Sequence, residues 1–226
     1  VYKRQVVQDG KQMSIAALIV AAGRGTRAGC TDPKQWQMLA GKRVIDHTLN
    51  AFKEHRNIDT ILVVLRPEDQ KRLTDPAIKT ALGGATRKQS VHNGLRALRA
   101  AAPKQVLIHD VARPLISAKC ITDVIEALQT HRGAAPALPI TDALWRGQDG
   151  LVSETVTSKN LFRAQTPQGF DFQSILKAHA QACGAAAADG EVAMQAGVDV
   201  TIIAGHEENI KIPLPEDFER ASKIIT

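Results

Sequence analysis

Between an apolar run and the segment that follows it, the sequence carries IVAAGRGTRAGCTDPKQ, residues 19–35. Gly23, Gly25 and Gly29 allow main-chain amides to approach an anion closely, and Arg24, Arg27 and Lys34 supply positive charge. This is a pattern for holding phosphate. GRGTRA at 23–28 also fits G-x-G-x-x-G/A, the dinucleotide fingerprint, which needs a helix beginning inside the motif and an acid about 20 positions later. Here the loop runs on through Gly29 and Thr31 to Pro33, and the second strand ends in VVLRP with no acid at its tip. Arg27 and Lys34 are therefore read as cations enclosing a triphosphate.

The elements that must position this loop are legible from short apolar runs. Residues 15–21, 60–65, 105–110, 133–140 and 200–204 are too short and too continuous for surface helices and predict buried strands. Residues 44–54, 87–101, 117–131, 171–183 and 215–225 predict helices, the second with Val91, Leu95 and Leu98 on one face. Strands alternating with helices predict an α/β fold, a mostly parallel sheet whose ligands sit beyond the strands' carboxyl ends. GAAAADG at 184–190 reads as a mobile loop. TDALWRGQDGLVSETVT at 141–157 alternates polar and apolar residues about a Gln-Asp-Gly turn and predicts a hairpin. An isolated hairpin is marginal in water, so this one either packs on a partner subunit, the favoured reading, or folds back on its own domain.

Composition narrows the function classes. The 226 residues are 44% hydrophobic, enough for one ordinary domain with an appendage. No apolar run approaches the roughly 18–20 residues of a membrane helix, and no secretory signal pattern opens the chain, so a cytoplasmic protein is expected. Cys30, Cys120 and Cys183 are far apart and form no CxxC, indicating neither a disulfide framework nor a zinc site. Of the net charge of +6, +2 belongs to residues 1–12, where Lys3, Arg4 and Lys11 oppose Asp9. That segment has no periodicity and reads as a non-native or disordered leader to a domain at 13–226. The other basic residues are scattered and aromatics make up only 4%, so nucleic acid is not the expected partner and small anionic substrates are.

Six motifs then carry a resemblance: AAGRGTR, DPKQ, GGATRKQSV, HDVARP, RAQTPQGF and ENIK, in that order. Their order and spacing resemble those of the 2-C-methyl-D-erythritol 4-phosphate cytidylyltransferases of the non-mevalonate isoprenoid pathway, from Ser14 to Thr226. The resemblance implies a single Rossmann-like sugar-nucleotidyltransferase domain with a projecting β-hairpin arm at about 141–158. It also implies CTP and methylerythritol phosphate as substrates, Mg²⁺ as a requirement, pyrophosphate as a product and a homodimer joined through the arm.

By the same resemblance Arg27 and Lys34 would stabilise charge on the α-phosphate, and Lys211 would orient the attacking phosphate. Ala21, Ala22, Gly23, Gly83, Gly84 and Ser90 would form the cytosine pocket. Asp110, at the end of the run 105–110, would hold Mg²⁺ or the acceptor hydroxyls with Arg113 nearby, and Thr166 would contact the acceptor. Arg87 has two readings, substrate binding or a structural role bonding carbonyls near a helix start. His109 reads as a buried histidine in preference to an acid or base, because the attacking phosphate is already anionic near neutral pH.

The departures from the family pattern cluster on the acceptor side. Ala143 follows Asp142 where a threonine is usual, and Pro213 replaces another threonine. The arm arginine falls on Ser158, leaving Lys159 to substitute, and the acidic loop keeps only Asp189. A cytidylyltransferase for another polyol phosphate, such as ribitol 5-phosphate, and a nucleotide-binding protein without turnover are the alternative readings, beside an oxidoreductase if the glycine fingerprint is taken at face value.

Overall fold

The computed structural model describes residues 14–23, 32–182 and 188–225. The strands are β1 (Ile15–Val20), β2 (Met38–Leu39), β3 (Lys42–Arg43), β4 (Thr60–Leu65), β5 (Lys79–Leu82), β6 (Gln105–Asp110), β7 (Gly133–Pro139), β8 (Leu144–Gln148), β9 (Leu151–Val156), β10 (Phe162–Ala164), β11 (Gln168–Asp171) and β12 (Thr201–Ala204). The α-helices are α1 (Val44–Lys53), α2 (Arg87–Leu98), α3 (Ala118–Ala127), α4 (Phe172–Gln181), α5 (Asp189–Gln195) and α6 (Pro215–Ile225). The five strands and five helices expected from the apolar runs are all present. Asp189 and Gly190, expected in a mobile loop, instead begin α5, whose acidic first turn holds Asp189 and Glu191. Residues 1–12 lie outside the described residues.

Among the described residues one eight-stranded sheet forms the centre, in the order β10-β7-β11-β6-β1-β4-β5, with β12 on β7. Pairs β5·β4, β4·β1, β1·β6 and β12·β7 are parallel, while β11 runs antiparallel to both β6 and β7. Chain order reverses at β1, which has β4 on one side and β6 on the other, so a ligand crevice is expected at its carboxyl end.

Alternation along β1 divides the core. Ile15, Ala17 and Ile19 face Ile45, Leu49 and Phe52 of α1 and Ile121 and Val124 of α3. Ala16 and Leu18 face Val91, Leu95 and Leu98 of α2 and Phe172 and Ile175 of α4. The same parity on β6 sends Ile108 to the α2 side and Leu107 to the α1 side. The two residues that end this strand follow suit. His109 meets the Phe52 ring edge-on at 5.1 Å, while Asp110 meets Arg87, the first residue of α2.

Helix α2 sits close to the sheet because residue 94 has no side chain. A Cβ there would lie 2.6 Å from Leu18 Cδ1 and 2.7 Å from Val64 Cγ2. Gly94→Ala is therefore expected to destabilise the fold by about 1–3 kcal/mol, despite a gain in helix propensity of roughly 1 kcal/mol. Urea unfolding checks this, and a stabilised variant would show that α2 can move off the sheet.

The segment 141–157 forms the expected hairpin. Its strands β8 and β9 make a separate two-stranded sheet around Asp149 and Gly150, both at positive φ. Trp145, Leu151 and Val152 on it are exposed.

Candidate functional site

A cavity of about 790 Å³ opens at the carboxyl ends of β1, β4, β5 and β6. Its lining comes from the turns that follow those strands: Ala22 and Gly23, Arg66 and Glu68, Gly83 to Thr86, and Asp110 to Ala112. Lys34, Gln35, Arg87, Ser90 and Lys211 complete it. Lys34, Arg66, Arg87 and Lys211 outnumber Glu68 and Asp110, so the cavity favours an anionic ligand.

Lys34 is placed by its neighbours. It opens a 3₁₀ turn in which Gln35 and Trp36 are buried. The Gln35 amide donates to the Ala21 carbonyl at 3.1 Å, and Trp36 lies beneath the guanidiniums of Arg43 and Arg72, at 5.3 and 4.5 Å. Arg72 also forms a two-bond pair with Asp32, at 2.7 and 2.9 Å. Fixing residues on both sides leaves Lys34 at the cavity wall.

The glycine wall has a steric reason. A Cβ on Gly83 would overlap the Cβ of Ala22, so the two turns touch at this point. Ser90 Oγ accepts from the Gly84 amide at 3.0 Å and donates to the Thr86 carbonyl at 2.9 Å, fixing the loop ahead of α2. Thr86 caps that helix, its Oγ1 accepting from the Gln89 amide at 3.1 Å.

At the other end lies a charged line. Arg87 donates to Asp110 Oδ1 from Nε and Nη2, at 3.2 and 3.1 Å, and from Nη2 to Asp189 Oδ2 at 2.7 Å. Lys211 Nζ donates to Asp110 Oδ2 at 2.7 Å. Burial alone would raise the Asp110 pKa, but Arg87 and Lys211 outweigh it and hold the carboxyl well below the usual carboxylate range. Burial likewise opposes the charge on Arg87, and Asp189 and Asp110 outweigh it, raising its pKa. Arg87 thus lines the cavity and bonds carboxylates; the expected structural alternative, bonding to carbonyls near the helix start, does not describe it.

Lys211 reaches this point because the residues beside it are fixed. The Ile212 amide donates to the Ala112 carbonyl at 2.8 Å, and buried Asn209 donates from Nδ2 to the Thr166 carbonyl at 2.9 Å.

Several expected site residues stand behind the cavity and do not line it. Ala21 is buried, its amide bonded to the Val64 carbonyl at 2.9 Å. Arg113 turns its guanidinium to the carbonyls of Asn209 and Ala164, at 2.6 and 3.4 Å. Thr166 is buried, its Oγ1 accepting from the Asp110 amide at 3.2 Å and donating to His109 Nδ1 at 3.0 Å. Asp189 is buried against Arg87 and His179. Lys159 is exposed on the arm, away from the cavity lining. Arg27 falls outside the described residues. Gln35, Arg66, Glu68 and Thr86 also line the cavity; Gln35 stands in DPKQ and Thr86 in GGATRKQSV, whereas Arg66 and Glu68 belong to none of the six motifs.

His109 is the buried histidine expected. Nε2 donates to the Arg113 carbonyl at 3.0 Å, leaving Nδ1 to accept from Thr166, and burial pushes its pKa down to about 4. Below the unfolded value near 6.5, the unfolded chain takes up a proton that the folded chain refuses. Stability should therefore fall as pH drops from 6.5 towards 4, by about 3 kcal/mol for a depression of that size. In nucleotide-free and metal-free buffer, His109→Gln should flatten this slope in urea titrations. Identical slopes would mean that His109 is protonated in the fold.

Among the described residues no group of three His, Cys, Asp or Glu side chains could hold a metal ion, and no helix is long and apolar enough to cross a membrane. Cys120 is buried, and burial pushes its thiol up to about 11, consistent with a structural residue.

The family model for 2-C-methyl-D-erythritol 4-phosphate cytidylyltransferase matches residues 15–226. A curated relative of that name from Cereibacter sphaeroides is 48% identical, covering 94% of this chain and 97% of its own. The bifunctional enzyme IspD/IspF of Ruegeria pomeroyi is 52% identical over 94% of this chain, which spans 57% of that longer relative. Among solved structures, a 4-diphosphocytidyl-2C-methyl-D-erythritol synthase superposes with a TM-score of 0.84 at 29% identity, covering 96% of this chain and 100% of its own. The cytidylyltransferase of Thermus thermophilus gives 0.79 at 30% identity, with 92% and 97% covered.

Proposed function

The chain belongs to the 2-C-methyl-D-erythritol 4-phosphate cytidylyltransferase family, and we propose that the cavity at the carboxyl edge of its sheet is where that transfer occurs. The protein is a nucleotidyltransferase that passes the cytidylyl group of CTP to 2-C-methyl-D-erythritol 4-phosphate, giving 4-diphosphocytidyl-2-C-methyl-D-erythritol and pyrophosphate. The observation that carries the placement is the convergence of Lys34, Arg87, Asp110 and Lys211 on one cavity beside the Gly83-Gly84 wall.

An oxygen of the acceptor's phosphate attacks the α-phosphorus of CTP. The bond from that phosphorus to the β-phosphate oxygen breaks, and pyrophosphate leaves with the electron pair. The attacking group is already an anion, so no strong base is required. What the step needs is cancellation of charge as two anions meet. Lys34 is assigned to the α-phosphate and Lys211 to the attacking phosphate, with Arg27 as a further cation on the triphosphate. Ala22, Gly23, Gly83, Gly84 and Ser90 form a close wall for the base, with Ala21 supporting it from behind. Asp110 aims Lys211, while Arg113, Thr166 and Asp189 hold Asp110 and its neighbours in place.

Mg²⁺ is compatible with this donor set. Asp110 is one carboxylate at the cavity, and magnesium is commonly held by one or two carboxylates together with substrate phosphates. Asp110 would hold it with the nucleotide's oxygens, and when bound it would neutralise triphosphate charge. Both Asp110 oxygens are engaged by Arg87 and Lys211, so the more exposed Lys211 is the group that would yield.

A homodimer through the arm is supported by exposed Trp145, Leu151 and Val152 on a hairpin that does not bury them itself. Lys159 would then reach the second subunit's acceptor.

Pyrophosphate release tests the reading. Release should require CTP and methylerythritol phosphate together and be far slower with ribitol 5-phosphate. Equal rates with both acceptors, or no release with either, would contradict it.

A further inference from the structure

Behind the cavity, the charged line does not end at Asp189. Its Oδ2 takes the Arg87 bond at 2.7 Å, and its Oδ1 faces His179 Nε2 at 3.3 Å, without the alignment of a full hydrogen bond. Both side chains are almost wholly buried, His179 on α4 and Asp189 at the start of α5. Among the described residues neither ring nitrogen of His179 has a hydrogen-bond partner, so Asp189 is the polar group nearest to satisfying it. A buried imidazole with no full partner is unfavourable for folding alone.

Arg87 Nη2 serves two carboxylates, Asp189 at 2.7 Å and Asp110 at 3.1 Å. The two compete for one guanidinium. An Asp189 whose Oδ1 faced only apolar groups would direct more of its charge at Arg87 and draw it from Asp110. Asp110 would then hold Lys211 more strongly, and Lys211 would be less available to a phosphate in the cavity. We propose that His179 is a positioning residue for cytidylyl transfer: by engaging Asp189 Oδ1, it sets how Arg87 is shared between Asp189 and Asp110. His179 touches no substrate and acts through three side chains.

This inference rests on the transfer reading above, which the unaltered protein tests by itself. Three variants test the inference: His179→Leu, His179→Gln and His179→Asn. The glutamine amide nitrogen can occupy the place of Nε2, whereas the asparagine amide corresponds to Nδ1 and falls short of Asp189. Turnover is divided by the number of CTP-binding sites, measured by calorimetry, so that loss of folded protein does not count.

Leucine and asparagine are expected to lower kcat per site about tenfold, with CTP Kd changed by no more than about twofold, while glutamine keeps most of the activity. If leucine fails to fold, glutamine and asparagine decide on the same terms. Equal kcat per site across the variants and the unaltered protein, or glutamine falling as far as asparagine, would overturn the proposal. An unaltered protein without turnover would instead count against the transfer reading.

Discussion

Lys34→Ala is expected to lower kcat by roughly hundredfold or more while weakening CTP binding by no more than about tenfold. Ground-state CTP already has its charge spread over three phosphates. Crowding at the α-phosphorus is greatest when the acceptor's phosphate closes on it, and a preorganised ammonium gains most at that moment. Preorganisation is visible in the residues next to Lys34. Gln35 is tied to the Ala21 carbonyl and Trp36 is buried under Arg43 and Arg72, so the lysine enters the cavity from a fixed base. Arginine should restore little, since a planar fork of different length replaces a compact charge. Stopped-flow CTP binding with steady-state turnover separates the effects; a change confined to CTP affinity would show that Lys34 only holds the nucleotide.

Lys211→Ala should cause a loss of similar size, about hundredfold in kcat, and the loss should depend on Asp110. Lys211 donates to Asp110 Oδ2 at 2.7 Å, so its removal leaves a buried carboxylate with Arg87 as its ion-pair partner among the described residues, at the place where an anionic acceptor would sit. Part of the loss is then repulsion by Asp110 and part is missing attraction from Lys211. Asp110→Asn in the same chain removes the repulsion. The double variant should accordingly retain more activity than the product of the two single effects allows. Strict multiplicativity would mean that the pair seen in the fold has no bearing on turnover.

The parts of the fold that were legible in the sequence were those governed by local pattern. ILVV within β4 and VLI within β6 are apolar on both sheet faces, as buried parallel strands require. KTAL, the edge strand β5, offers no such signal because half-exposed edges tolerate polar residues. The sequence offers no clear strand signal for β10 and β11. They are short, antiparallel to β7 and separated by Gln165, Thr166 and Pro167, which interrupt any periodicity. The alanine and glycine content that suggested a loop at 184–190 concealed the start of α5, where Asp189 is buried against Arg87.

The site was legible to the same depth. Lys34 is read from a glycine- and cation-rich loop after a strand, and Lys211, Asp110 and the Gly83-Gly84 wall from the motifs of the family resemblance; the fold brings all of them to one cavity. Direction was not legible. Arg113 and Thr166 sit in such motifs yet point away from the cavity, Arg113 to the carbonyls of Asn209 and Ala164 and Thr166 to His109. Nor does spacing reveal that Arg87 and Asp189, 102 residues apart, share one ion pair.

In the proposed reaction this cavity directs a phosphate oxygen of methylerythritol phosphate to the α-phosphorus of CTP. That step is tested most directly by placing ¹⁸O in the acceptor's phosphate and following the label by ³¹P NMR and mass spectrometry through turnover. All of the label should appear in the diphosphate of the cytidylyl product and none in the released pyrophosphate. Label in pyrophosphate or inorganic phosphate, or an unlabelled product diphosphate, would contradict the account.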